Sequence, residues 1–238
     1  MKRLLFLLLL TAAFTANSVA QQDSSQVQVR GIQYVSAEDA AKVLLNKPIP
    51  LFVGISVSVD LCGAVMASLC PWGQYEAAAR INFRQRYFPT VEIGIGSSNY
   101  TDETTKLHYK THSPFFRAGC DLNIANDKRS GNRIYAGLRY GFTAFKYNLD
   151  GPPIEDPVYG GMFPYSFTGV NGRMHWFEIV GGLEARIWKF IHLGWTLRYK
   201  VRLNEKQSSL GHAWYVPGFG KNAGGRVGGT FNLIFDID

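Results

Sequence analysis

The sequence is poor in charged residues, in cysteine and in long apolar runs. Asp, Glu, Lys and Arg together make up 18% of the 238 residues, whereas soluble domains average about 25%. Beyond the first twenty residues there is no stretch of about 18 apolar residues, which excludes a bundle of transmembrane helices. The three cysteines form no CxxC motif, so we expect no structural zinc site and predict no metal and no cofactor.

Aromatic residues and glycine, in contrast, are plentiful. Hydrophobic residues reach 46%, aromatic residues reach 14% and there are 25 glycines, so general disorder is excluded. This composition favours an all-β chain or a chain that meets lipid. The formal net charge is +7, but the basic residues cluster neither on a helix nor between stacking aromatics. We therefore expect no nucleic-acid partner.

Residues 1–20 have the three regions of a secretory signal peptide. Lys2 and Arg3 precede an apolar run over residues 4–13, and the small residues Ser18 and Ala20 mark a cleavage site. An uncleaved membrane anchor is the alternative, but the run is too short to span a bilayer comfortably. We predict cleavage after residue 20 and export of the chain.

From residue 51 onward apolar and polar residues alternate with a period of two, the pattern of strands that bury one face. The eight alternating segments are 53–61, 75–84, 91–96, 116–124, 136–143, 177–187, 191–202 and 226–236. Most have about ten residues, the length that a tilted strand needs to cross a bilayer. An even number of antiparallel strands can close on itself and leave no edge unpaired.

The connections between these segments alternate in length. Residues 85–89, 125–132 and 188–190 are short connections, whereas 63–74, 97–113, 145–173 and 204–222 are long ones. Short periplasmic turns and long outward loops are typical of outer-membrane barrels. We therefore predict an all-β, eight-stranded antiparallel up-and-down transmembrane β-barrel over residues 50–238, located in the outer membrane and surrounded by its lipid.

The polar phase of the alternation mixes glycine with opposed charges, which suits a narrow, ion-paired lumen. The predicted lumen charge network comprises Glu76, Arg80, Glu92, Arg117, Asp121, Arg139, Glu184 and Arg198. Aromatic pairs near the strand ends are expected to form interfacial girdles, among them Phe115 with Phe116 and Trp176 with Phe177. Eight strands leave an interior that side chains just fill, so general porin activity is not expected. The alternative is a soluble secreted lipocalin-like barrel, with its apolar phase inside.

Residues 21–49 differ in character and are predicted to be a periplasmic N-terminal segment. Ser36 can cap a short helix that Pro48 ends. This segment either packs on the barrel mouth, binds a periplasmic partner or plugs the lumen, and the sequence leaves these alternatives open. At the other end of the chain, residues 226–233 fit the polar-x-Gly-x-x-apolar-x-apolar pattern, which resembles the strand read by the barrel assembly machinery, a partner during biogenesis.

Two long loops are unusually rich in proline and aromatic residues. Their aromatic side chains are Tyr159, Phe163, Tyr165 and Phe167 in the first loop and Trp214, Tyr215 and Phe219 in the second. These loops either pack together as a lid or form a recognition surface for a ligand or a surface protein. The leading hypothesis is a structural or recognition barrel of the cell envelope that works through these loops.

No motif assigns a catalytic residue. A lipid-modifying enzyme would need His212 near Ser208 or Ser209, or His175 with Glu178, and no GxSxG elbow frames any serine. His108 and His112 are four residues apart, which alone makes only a weak metal site conceivable. Cys62 and Cys70 can pair as a disulfide after export, leaving Cys120 as a lone thiol.

Several segments resemble a known family. They are GQYEAAARINFRQRYFP, TDETTKLHYKTHSPFFRAGCDLN, YAGLRYGFTAF, DPVYGGMFPYSF, LGWTLRYKVRL and WYVPGFGK. The chain resembles a family of small uncharacterised outer-membrane β-barrel proteins from Bacteroidota that carry a domain of unknown function. The resemblance covers nearly the whole exported chain and implies the fold and the outer-membrane location. It brings no activity and no site residues.

Overall fold

The computed structural model describes residues 50–125, 131–155, 158, 160–206 and 210–237. The predicted signal peptide and the predicted helix within residues 21–49 lie outside this range, as do Tyr159, Ser208 and Ser209. In chain order the elements are β1 Phe52–Asp60, α1 Leu61–Leu69, β2 Trp72–Phe83, β3 Tyr87–Thr101, β4 His108–Asn123, β5 Arg133–Glu155, β6 Met162–Trp188, β7 Ile191–Lys206, β8 Tyr215–Val216, β9 Gly220–Lys221 and β10 Gly225–Ile237.

The eight long strands form one closed antiparallel barrel in the order β1-β10-β7-β6-β5-β4-β3-β2. Each strand pairs with its neighbours along the chain, and β1 closes the ring against β10, with Val57 opposite Phe235. The predicted all-β class, the strand number and the up-and-down topology are confirmed. No helix of the described residues is long and apolar enough to cross a membrane.

The two ends of the barrel differ. At one end lie the first residues of β1, the last residues of β10 and the connections 84–86, 124–132 and 189–190. We call this the short-turn end. At the other end, the outer mouth, α1 follows β1, and residues 102–107, 156–161 and 207–224 connect the remaining strands.

The strands extend further toward the outer mouth than the sequence predicted. Residues 97–101 and 108–113, assigned to a loop, belong to β3 and β4, and most of residues 145–173 belongs to β5 and β6. The reason is that the apolar and polar faces of the strands are exchanged near the outer mouth. Near the mouth the inward side chains become aromatic, as with Tyr109 and Tyr147, while outward positions carry lysine, as with Lys110 and Lys146. The apolar-out pattern therefore predicts strands that are shorter than those of the structure.

The predicted loop 63–74 is largely the helix α1. Asp60 caps it, since its carboxylate accepts hydrogen bonds from the backbone N–H groups of Cys62 and Gly63 at 3.0 and 3.1 Å. Cys62 and Cys70 are free, and eight residues of helical rise separate them by about 12 Å. A disulfide tolerates only about 7 Å between Cα atoms, so this fold does not allow the pairing considered above.

Candidate functional site

The barrel is polar inside and apolar outside at mid-height. In β4, for example, Arg117 and Asp121 are each 1% exposed, whereas the interleaved Phe116 is 51% exposed. The same inversion occurs in β5, where buried Arg139 alternates with exposed Leu138. A lipocalin-like barrel places these phases the other way round, so the arrangement disfavours that alternative.

Three carboxylates and two arginines form the centre of the interior. Arg198 contacts Glu76 at 2.9 Å, Glu92 at 2.6 Å and Glu178 at 3.4 Å. Arg117 contacts the same three carboxylates at 2.9, 2.8 and 3.1 Å. Every member of this group faces at least two opposite charges. These ion pairs replace the water contacts that the charges lose in the interior.

Two further groups of ion pairs extend this centre. Arg139 donates to both oxygens of Asp121 at 2.6 and 2.7 Å and bonds Glu92 at 3.0 Å. Glu184 accepts from Arg80 and, at 3.2 Å, from Arg133. All eight residues of the predicted network lie in the interior. Ion pairs join six of them, whereas Arg80 and Glu184 form a separate group with Arg133.

Interior charges outside the predicted network include Glu178, Lys200 and Arg133. Glu178 and Lys200 lie on the polar phase of β6 and β7 and were available from the alternation alone. Arg133, which bonds Asp236 at 2.8 Å, precedes the predicted start of its strand, so the alternation did not include it. The pairs also join residues far apart in the chain, which no local pattern reveals.

A short hairpin made of β8 and β9 fills the outer half of the interior. We call residues 213–221 the plug. Tyr215 and Phe219 are buried, with Phe219 packed edge-on against Trp176 at 5.9 Å between ring centroids. The hydroxyl of Tyr109 donates to the carbonyl of Tyr215 at 2.7 Å, and Lys200 donates to the carbonyl of Gly218 at 2.6 Å. The plug is therefore part of the core.

These positions correct three predictions from the sequence. Tyr215 and Phe219 were expected in an exposed recognition surface but are only 2% and 1% exposed. Trp214 is half-buried and stacks on Tyr100. Phe115 and Trp176 were expected in aromatic girdles, but both point inward and are fully buried. The plug residues were thus assigned to an exposed loop, and Phe115 and Trp176 were assigned to the outer face.

The filled interior leaves little room for transport. The cavity bordered by Asp60, Glu76, Glu92 and Arg198 measures about 10 Å³, which is space for about one water molecule. We expect purified protein in planar bilayers to give no large, steady conductance, because the plug and the ion pairs together occlude the lumen. A general porin recorded in the same bilayers is the positive control, and porin-like currents from the pure protein would contradict the occluded lumen.

Exposed apolar side chains surround the barrel on all eight long strands, and we call them the apolar belt. The belt includes Val57, Tyr75, Ile93, Phe116, Leu138, Ile179, Leu197 and Val227, one from each strand in turn. Monomeric soluble proteins rarely expose contiguous apolar patches above a few hundred Å². The belt is therefore unusual for the surface of a soluble monomer.

Strands β5 and β6 continue beyond the rest of the barrel as a protruding hairpin. The pairing of β5 with β4 ends at Asp150, and that of β6 with β7 begins at Arg173. Beyond these points Ile154 pairs with Phe163, and the two side chains are 56% and 60% exposed.

The predicted surface residues are thereby divided between two places. Phe163, Tyr165 and Phe167 alternate along one strand of the protruding hairpin, where Tyr165 and Phe167 contact each other edge-on at 5.1 Å. Trp214, in contrast, lies at the plug. The lid that the sequence suggested, with both loops packed together, is replaced by a buried plug and a separate exposed hairpin.

The histidines considered for catalysis have different surroundings. His175 lies on the outer face with Nδ1 at 2.5 Å from the hydroxyl of Tyr140, whereas Glu178 is buried in the interior, so the two do not meet. His212 Nδ1 lies 2.7 Å from Glu205, which also accepts from Arg202 and Asn222. Among the described residues no group of three or more His, Cys, Asp or Glu is placed to hold a metal.

Comparison with known proteins assigns the family. A family model described as a domain of unknown function (DUF6048) matches residues 1–236, so the chain belongs to that family. The predicted resemblance to an uncharacterised family is confirmed to this extent. No curated protein and no solved structure matches the chain.

Proposed function

We propose that this member of the DUF6048 family is a small outer-membrane β-barrel of the cell envelope with a structural or recognition role. Its N-terminal segment lies in the periplasm, and its protruding hairpin faces outward. The surrounding lipid and, during biogenesis, the barrel assembly machinery are its general partners.

The apolar belt is the observation that carries this proposal. Each Å² of apolar surface left in water costs about 25 cal/mol, and the belt exposes large side chains on every long strand. Hydrocarbon removes that cost. It also requires that all backbone polar groups be paired internally, which the closed ring achieves.

The asymmetry of the two ends supports the proposed orientation. Short turns, together with both ends of the barrel domain, lie at one rim, and α1, the protruding hairpin and the plug connection lie at the other. Outer-membrane barrels have short periplasmic turns and longer outward connections. We therefore place the short-turn end in the periplasm.

Cell fractionation combined with gel electrophoresis of unboiled and boiled samples tests the location. We expect the protein in the outer-membrane fraction and expect the unboiled sample to migrate differently, because a closed barrel resists detergent until heated. Protein free in the periplasm without a heat-dependent shift would overturn the proposal.

The protruding hairpin is the proposed recognition element. Phe163 and Ile154 expose an apolar face that no other strand covers, and such faces commonly mark interaction sites. A photo-crosslinking residue at Phe163 should yield a discrete protein adduct on intact cells. The same residue at Leu138, in the apolar belt, is the matched control and should yield none; identical adduct patterns at both positions would contradict a recognition hairpin.

A lipid-modifying enzyme is the second candidate, favoured by the pairing of His212 with Glu205. A carboxylate on Nδ1 orients an imidazole for base catalysis. Under this alternative, His212→Ala alters the acyl pattern of envelope lipids in mass spectra of complemented knockout cells. His175→Ala is the control because Glu178 lies on the opposite face. Under the envelope-barrel proposal neither substitution changes the lipids.

A further inference from the structure

Basic side chains on four adjacent strands lie together on the outer face, between the apolar belt and the outer mouth. They are Lys110 and His112 on β4, Lys146 on β5, Arg173 on β6 and Lys206 on β7, and all are exposed. Thr111 pairs with Tyr147, so His112 and Lys146 are cross-strand neighbours. Arg173 pairs with Lys206 directly. We call these five residues the basic band.

The members of the basic band lie at about the same height along the barrel axis, although they are not directly opposite one another in the strand register. Strands of small barrels tilt by about 35–45°, so residues at one height step along the register from strand to strand. From β4 to β6 the basic residues step toward the short-turn end. The strand ends step in the same direction, since β5 begins opposite Glu184 while β6 continues to Trp188. The band therefore follows the tilt.

No carboxylate neutralises the basic band within the described part of the chain. None of its members has an Asp or Glu oxygen within 4 Å, whereas Glu205, one residue before Lys206, is turned toward Arg202 and His212. Positive charges arranged side by side repel one another unless an anion lies among them. The arrangement is complementary to an anionic group outside the protein.

A groove adjoins the band where α1 ends beside β3 and β4. It has a volume of about 420 Å³ and is lined by Cys70, Pro71, Asn99, Lys110 and His112, among others. This volume lies within the range of small-ligand sites. The band thus combines positive charge with a concave surface of mixed polar and apolar character.

We propose that the basic band and its groove bind the phosphate-bearing headgroup of an anionic lipid in the outer leaflet. The inference rests on the proposed membrane location. In a bilayer the exposed apolar residues further toward the short-turn end, such as Phe116 and Leu203, face the acyl chains, which puts the band near headgroup height. Arg173 can bind phosphate with two parallel N–H groups, while the lysines act as point charges.

Lipid titration of refolded protein followed by native mass spectrometry tests this site. The probes are phosphatidylglycerol, zwitterionic phosphatidylcholine and inorganic phosphate, each added to protein that shows the heat-dependent shift. The test variant is Lys146→Gln with Arg173→Gln. The matched control, Arg86→Gln with Lys189→Gln, removes two exposed charges from the short-turn end.

The wild type should bind phosphatidylglycerol at least about tenfold more tightly than phosphatidylcholine, with inorganic phosphate a weak competitor. One basic residue near an anionic headgroup contributes roughly a factor of five, so the double variant should lose about 25-fold in affinity. The control variant should retain the affinity of the wild type for phosphatidylglycerol. Equal binding of both lipids, unchanged affinity in the double variant or full displacement by inorganic phosphate would overturn the inference. Only inserted protein with the heat-dependent shift is titrated, so these results do not bear on the proposed location. Failure of the protein to insert would overturn the location itself.

Discussion

Replacing Arg139 by leucine is expected to lower the free energy of unfolding by about 3–5 kcal/mol. Asp121 is 1% exposed and accepts two hydrogen bonds from Arg139, which is its one ion-pair partner within 4 Å among the described residues. Leucine would leave this carboxylate charged and unpaired in the interior. Urea unfolding of the protein in lipid vesicles, followed by tryptophan fluorescence, measures the change.

The double variant Arg139→Leu with Asp121→Leu separates a lost partner from lost packing. Removing both charges leaves none stranded, so most of the lost stability should return. Arg86→Leu, an exposed arginine at the short-turn end, should change the free energy of unfolding by less than about 0.5 kcal/mol. A single Arg139→Leu variant as stable as wild type would contradict a buried, ion-paired lumen.

Replacing Leu138 by arginine in the apolar belt is expected to cost about 2–4 kcal/mol of stability, the range found for a lipid-facing cation near the bilayer midplane. Leu138 points outward between Cys120 and Ile179 of the neighbouring strands and is 52% exposed. In water the same surface substitution would change stability by no more than about 0.5 kcal/mol. Unfolding from vesicles measures the difference.

Ile154→Arg on the protruding hairpin is the matched control. Ile154 is also apolar and 56% exposed, but it lies beyond the strands that carry the belt. We expect its substitution to be nearly neutral. Equal effects at Leu138 and Ile154 would mean that both side chains face the same medium, which the proposed membrane location forbids.

The barrel itself was predictable from the sequence because one physical pattern extends through all eight strands. At mid-height the outward side chains are mainly apolar and the inward ones are glycine, neutral polar or charged residues, so alternation identified every long strand. The same alternation selected the interior charges, since Arg117 and Arg139 stand at inward positions between apolar neighbours.

The outer half of the barrel was not predictable in this way. There the inward positions become aromatic, because they pack against the plug, and outward positions such as Lys146 and Arg173 become basic. Apolar and polar residues still alternate there, but the apolar ones now face inward and the polar ones outward. Strand residues were therefore predicted as loop, and Phe115 and Trp176 were assigned to the wrong face. The plug depends on contacts such as that between Tyr109 and Tyr215, 106 residues apart.

The particular ion pairs were equally beyond a local pattern. Glu76 meets Arg198 across 122 residues of sequence, and closure of the ring brings them together. Helix α1 was missed because its residues, LCGAVMASL, show no apolar stripe at helical spacing. Asp60, which caps this helix, is also the last residue of β1. It was therefore assigned to the polar phase of the strand and not to a helix cap.

Accessibility of a spin label at residue 138 shows whether the outward face of this barrel contacts lipid. The label is placed on Leu138→Cys in a background in which Cys62, Cys70 and Cys120 are replaced, with Ile154→Cys as the reference position, in protein reconstituted into vesicles. We expect the label at 138 to collide readily with oxygen, which partitions into hydrocarbon, and hardly at all with a water-soluble nickel complex. The label at 154 should show the opposite. A label at 138 as open to the nickel complex as the label at 154 would contradict the membrane barrel.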